Sequence, residues 1–224
     1  MKYEVVERPA YSVLVVKLEP GERVAAEAGA MMMMKGDIRV ETKSAGGIFK
    51  GLLRKLTAGE TIFLNHFIAG PKGGEVWLVP PYPGDIKYIK LEGSGVIVQD
   101  TCYLAHHGEV DYDIVWRGFK GVFAGGGLLW LKFRGVGGIW VSSYGSIVER
   151  DLGVGEEVTL DNLHLVAMDD TMDYEIRTFG GLKSFILGGE GVVLKVKGPG
   201  RLYMQTRTIP VFASIISKFI PERR

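Results

Sequence analysis

The sequence predicts an all-β fold, an antiparallel β-sandwich or barrel assembled from three pseudo-repeats, with a short amphipathic insert and a C-terminal helix. Three observations carry that expectation. A glycine three residues before a large aromatic recurs as Gly74-Glu75-Val76-Trp77, Gly137-Gly138-Ile139-Trp140 and Gly200-Arg201-Leu202-Tyr203, with successive aromatics 63 residues apart both times. Self-similarity at a fixed period marks a fold built from copies of one supersecondary unit. The 32 glycines lack a collagen period and fall between short apolar runs, where tight turns belong. No long helical period separates those runs, which favours many short strands joined by many turns.

The elements follow in order within each third, whose limits fall near residues 1–85, 86–150 and 151–209 of a single β domain. A first strand reads Arg23-Val24-Ala25-Ala26-Glu27 leading into Ala30-Met31-Met32, then Val96-Ile97-Val98-Gln99 into Cys102-Tyr103-Leu104-Ala105, then Val158-Thr159-Leu160-Asp161 into His164-Leu165-Val166-Ala167. A second strand alternates apolar and polar residues at Ile38–Glu41, Tyr112–Trp116 and Tyr174–Arg177, the period-two pattern of a strand with one wet face. Glycine turns follow at Gly46-Gly47, Gly118 to Gly121 and Gly180-Gly181. An apolar strand comes next, at Thr61–Leu64, Leu128–Leu131 or Val192–Lys195, before the glycine-aromatic strand closes the copy.

Two segments depart from the repeat. In Gly46 to Gly59, Ile48, Phe49, Leu52, Leu53 and Leu56 recur at helical spacing while Lys50, Arg54 and Lys55 carry positive charge. The pattern fits a one- or two-turn amphipathic helix that caps an end of the fold, or one that meets a membrane surface or a protein partner through Phe49, Lys50, Leu52, Leu53, Arg54 and Lys55. In the tail, Phe212, Ile215, Ile216, Phe219 and Ile220 fall at i, i+3, i+4, i+7 and i+8 between Pro210 and Pro221, which predicts an amphipathic helix over 210–221. Lys218 is its only charge, so the helix is expected to pack on the body or on a neighbouring subunit. Phe212, Ile215, Ile216 and Phe219, with Met31 and Met32 from the four-methionine run, are the candidate contacts for self-association.

Composition narrows the function classes. Lys and Arg total 27 against 26 Asp and Glu, so no global field draws in nucleic acid or anionic lipid. Met1 to Arg8 holds no apolar signal region, and no run of ~18 apolar residues occurs, so the expectation is a cytoplasmic protein, with a peripheral place at the membrane as the alternative. Cys102, the only cysteine, excludes an internal disulfide and a multi-thiolate metal site, and its apolar neighbours predict a buried small hydrophobe.

No catalytic constellation emerges, so no enzyme activity and no cofactor is expected. A β-barrel metal site needs alternate histidines on one strand, whereas His106 and His107 are adjacent and would face opposite sides. With His164 they are expected at turns or interfaces. Asp169 to Asp173 lacks the glycine and distal glutamate of a calcium loop and reads as a solvated turn. Ser142 and Ser143 have no Gly-x-Ser-x-Gly elbow, and Gly125 to Gly127 precedes no helix or Gly-Lys-Thr. Lys195, Lys197, Arg201 and Arg207 form a modest basic cluster in the last third, which makes single-stranded RNA the weakest of the partner expectations.

The run Gly46-Gly47-Ile48-Phe49-Lys50-Gly51-Leu52 to Gly59-Glu60-Thr61-Ile62-Phe63-Leu64-Asn65-His66-Phe67 resembles a family of uncharacterised bacterial and archaeal proteins related to the altered-inheritance-of-mitochondria, or mitochondrial biogenesis, proteins of fungi. Pro20-Gly21-Glu22, Glu27-Ala28-Gly29-Ala30-Met31 and Gln205-Thr206-Arg207 extend the match across about Tyr3 to Arg207. The resemblance implies a fold similar to the tryptophan RNA-binding attenuation protein, with double-stranded β-helix-like units in a pseudo-threefold arrangement. It implies no established biochemical activity. The function expected is a non-catalytic β scaffold working through protein contacts, with peripheral membrane association as the alternative.

Overall fold

A computed structural model describes residues 1–44, 63–117, 129–178 and 192–220. The chain forms two compact units, one of residues 1–93, 103–111 and 134–142, the other of residues 94–102, 112–133 and 143–220 among those described. Among the described residues, fifteen strands and one short C-terminal helix build them. The all-β expectation holds, and among the described residues no sheet closes into a barrel.

In the first unit β1 (Lys2–Val6) pairs β2 (Val13–Leu18), which pairs β5 (Phe63–Leu78). The sixteen residues of β5 form the spine. Its end, Gly74 to Leu78, pairs β2, its start, Leu64 to Ile68, pairs β3 (Arg23–Glu27), and its other side pairs β4 (Met31–Ser44) along most of its length. β3 also pairs β8 (Tyr103–Arg117) through Ala25↔His106 and Ala26↔Ala105. β6 (Ile86–Glu92) pairs β9 (Leu129–Ser142), which lies beside β8. Alternate residues of these strands meet in a core of Leu14, Val16, Val24, Phe67, Val76, Leu78, Leu104 and Trp140, all essentially closed to water.

In the second unit β7 (Val96–Gln99) pairs β9 on one side and β12 (Leu165–Asp169) on the other. β12 pairs β15 (Gly200–Gln205), and β15 pairs β10 (Ile147–Leu152). A separate three-stranded sheet runs β11 (Glu157–Asp161), β14 (Val192–Lys197), β13 (Asp173–Thr178). Trp130, Leu165, Met168, Leu194, Val196 and Leu202 fill this unit's core.

The sequence pattern splits too finely. Of the runs Thr61–Leu64 and Gly74–Trp77, expected as two strands, the described residues Phe63–Leu64 and Gly74–Trp77 belong to the single β5, and Leu129–Leu131 and Gly137–Trp140 likewise lie along β9. Met31 and Ile38–Glu41 share β4, and Tyr103 and Tyr112 share β8. The glycines inside these strands serve close backbone approach in place of turning. A Cβ on Gly36 (φ +93°) would lie 2.8 Å from the Gly73 carbonyl oxygen and from the Gly74 Cα, and one on Gly108 (φ +87°) would lie 2.7 Å from the Gly137 Cα. Both positions require a residue without a side chain. Gly46-Gly47, Gly118 to Gly121, Gly125 to Gly127 and Gly180-Gly181 fall outside the described residues.

Candidate functional site

The tail forms α1 (Ile209–Ser217), shorter than the pattern over 210–221 suggests. Thr208 is its N-cap residue and Pro210 sits in its first turn, where a missing N–H costs nothing. It ends when Phe219 N–H and Ile220 N–H bond back three residues to the Ile216 and Ser217 carbonyls, a tightened last turn. No residue of α1 is buried. Val211, Phe212, Ile215, Ile216, Phe219 and Ile220 are all exposed, Phe219 to 80%. The Phe212 ring stands 5.7 Å from that of Tyr144. Packing on the chain's own body therefore does not cover this helix.

The methionine run opens β4 and is also open to solvent, Met31 at 43%, Met32 at 59% and Met34 at 44%. A core role for it is excluded. Phe49, Lys50, Leu52, Leu53, Arg54 and Lys55 lie outside the described residues.

His66, His106 and His107 lie near one another in the first unit, and His164 belongs to the second. His106 is buried inside the first unit, 2.7 Å from the Tyr103 hydroxyl through Nδ1, which corrects the turn or interface expected for it. Burial, reinforced by the nearby His66, His107 and Arg23, pushes its pKa down to about 4, so it is neutral at pH 7. His107 meets the Tyr88 hydroxyl at 3.0 Å through Nε2, and burial lowers its pKa as well. His164 ends a 3-10 turn (Asn162–His164), where its Nδ1 donates to the Gln205 carbonyl at 2.6 Å. Among the described residues no three His, Cys, Asp or Glu side chains could hold a metal ion.

The other residues singled out for chemistry are structural. Cys102 is buried in a 3-10 turn (Asp100–Cys102), with its sulfur 3.9 Å from the Leu165 carbonyl and the Gln205 side-chain oxygen. Ser142 and Ser143 are buried, and the Ser143 hydroxyl donates to the Gly145 carbonyl at 2.6 Å. Asp170 pairs with Lys132 at 2.9 Å and accepts from Gly95 N–H, so the Asp169–Asp173 run ties strands together as well as facing water. In the basic cluster Lys195 pairs with Glu157 at 2.7 Å and Arg201 with Asp151 at 2.6 Å.

Two enclosed carboxylates, Asp85 buried and Asp100 half-buried, carry no motif. Asp85 takes a two-pronged bond from Arg8 at 2.8 and 2.7 Å, with Ser12 and the Ile86 N–H as further donors. Burial raises its pKa, but these donors outweigh burial and hold it below the usual carboxylate range. Among the described residues no cation pairs with Asp100. Burial raises it to about 6 against backbone donors that include Leu129 N–H at 3.2 Å. Arg8 and Asp85 are 77 residues apart, so no local signal points to the pair.

The fold and these sites define an all-β protein of two antiparallel units with an uncovered apolar helix and an uncovered methionine strand. The chain belongs to the mitochondrial biogenesis AIM24 family, whose model matches residues 3–207. It is 27% identical to an uncharacterized protein of Streptococcus pyogenes serotype M6 over 229 residues, 99% of this chain and 92% of that one. A crystal structure of a Streptococcus pyogenes protein is similar with a TM-score of 0.81 and 27% identity, covering 98% of this chain and 99% of the other.

Proposed function

We infer that this protein is a non-catalytic β scaffold that acts through protein–protein contacts, self-association among them. The supporting observation is α1, whose apolar side chains are exposed together on nine residues. A helix this short is marginal in water unless its apolar face is packed, and contiguous exposed apolar patches mark interaction sites. Each large apolar side chain withdrawn from water contributes about 1.5–3 kcal/mol. Light scattering at rising concentration is expected to give a mass above the 24.6 kDa of one chain. Phe212→Ser with Ile216→Ser should lower that mass while leaving the β circular-dichroism signal intact. A wild-type protein that stays at the mass of one chain throughout would overturn the reading.

Peripheral membrane association is the second reading. The exposed apolar face of α1 favours it, and so does the run of Phe49, Leu52 and Leu53 beside Lys50, Arg54 and Lys55. Co-sedimentation with anionic vesicles should then be strong at low salt and fall at high salt, and absence of pelleting at low salt removes this reading. RNA is disfavoured because Lys195 and Arg201 already face carboxylates.

A further inference from the structure

We propose that β4 and β11 are complementary strand edges through which one copy of the chain joins the next, head to tail. The proposal rests on the scaffold reading and gives it a geometry. β3 is hydrogen-bonded on both sides, to β5 and β8, and β7 on both sides, to β9 and β12. β11 occupies the corresponding place in the last third, since Thr159 pairs Lys195 as Ile97, 62 residues earlier, pairs Lys132, 63 residues earlier. Yet among the described residues β11 pairs only β14. The partners that β3 and β7 use are the starts of β8 and β12, and β4 is their counterpart.

The correspondence of β4 with β12 is set residue by residue. β4 meets β5 through Met34↔Val76, Met33↔Trp77 and Met31↔Leu78, skipping one residue. β12 meets β15 through Met168↔Leu202, Ala167↔Tyr203 and Leu165↔Met204, skipping one residue at the same point. A shared bulge at a shared place is a strong register marker. Met34 thus corresponds to Met168 and Met33 to Ala167. Met168 pairs Ile97 and Ala167 pairs Val98, so the chain twice displays the ladder that would set Met34 opposite Thr159 and Met33 opposite Leu160.

Burial shows that both halves lack a cover. Leu165 to Met168 and Tyr103 to His106 are buried, whereas Met31, Met32 and Met34 are exposed. β3 and β7 are mostly buried, whereas no residue of β11 is. Unpaired edges are templates for another strand. Because the two edges differ, a second copy joins by its β4 onto β11 of the first and leaves its own β11 free, a heterologous contact that extends until it closes into a ring.

The test uses cysteines at exposed positions. A tagged Met34→Cys chain is co-expressed with a differently tagged Thr159→Cys chain, and Cys102, being buried, stays in place. Facing residues of an antiparallel pair lie within disulfide reach. Oxidation is expected to yield a heterodimer carrying both tags. Either variant alone, or Met34→Cys with Val154→Cys, should give at least tenfold less cross-linked product. Equal cross-linking of Met34→Cys with itself, or no heterodimer at all, overturns the proposal. Cross-linking that survives Phe212→Ser with Ile216→Ser assigns assembly to the strand edges. If cross-links fail while light scattering still shows association through α1, the edge proposal falls and the scaffold reading stands.

Discussion

Replacing Asp100 with asparagine is expected to turn a nearly flat profile of stability against pH into one that rises from pH 4 to pH 7. Two enclosed groups oppose each other in that window. Asp100 is raised from an ordinary 3.8 to about 6 by burial, so its contribution is fully present below pH 4 and is lost as pH climbs through 6, by about 3 kcal/mol. His106 is lowered from 6.5 to about 4, chiefly by burial. Its contribution is present above pH 6.5 and is lost as pH falls through 4, by a similar ~3 kcal/mol. The two slopes offset in the native chain. Asparagine cannot ionise, so the advantage of Asp100→Asn over the wild type should grow by about 3 kcal/mol between pH 4 and pH 7. His106→Gln should tilt the profile the other way. Urea unfolding at several pH values measures both, and a constant difference between variant and wild type across the window would refute the opposing-pair account.

Trp140→Ala is expected to be the most damaging single truncation, at about 3–5 kcal/mol. Trp140 is fully buried and its ring lies among Tyr3, Tyr88 and His107, at centroid distances of 5.1, 5.3 and 5.2 Å. Its indole nitrogen is buried and has no hydrogen-bond partner among the described residues. Trp140→Phe therefore breaks no hydrogen bond and should recover much of the loss. Trp77 stands 63 residues earlier but is only partly buried, and its Nε1 donates to Glu75 at 2.6 Å. Trp77→Ala should cost roughly 1–2 kcal/mol, one modest hydrogen bond plus partial burial. Denaturant unfolding that gave equal losses at the two positions would contradict this contrast.

The 63-residue spacing of Trp77 and Trp140 was legible in the sequence, but their burial was not. Alternation along Ile38–Glu41 and Tyr174–Arg177, and the apolar spacing of Phe212, Ile215 and Ile216, are local signals, and they located β4, β13 and α1. Strand length was misread because the apolar run ending at Leu64 and the glycine-aromatic run opening at Gly74 were counted as two strands, yet Gly70, Pro71 and Gly73 between them lie within β5. There glycine answers to a neighbouring backbone, and no residue near it in the chain reports that neighbour. The same limit applies to function. The apolar face of α1 is written in its own spacing, whereas an unpaired edge on β4 or β11 is a property of what stands beside a strand. Asp100 could be flagged by no motif, since its perturbed acidity arises from enclosure alone.

Cys102 carries no chemistry in the folded chain, and that makes it useful as a clock. It is the chain's only thiol and it is buried beside Leu165 and Gln205. A thiol-reactive dye in solution meets it only in those molecules whose second unit has come open around it. The rate of labelling therefore counts openings, as amide exchange does for a protected backbone. No engineered reporter is needed, because every molecule already carries a single sealed one.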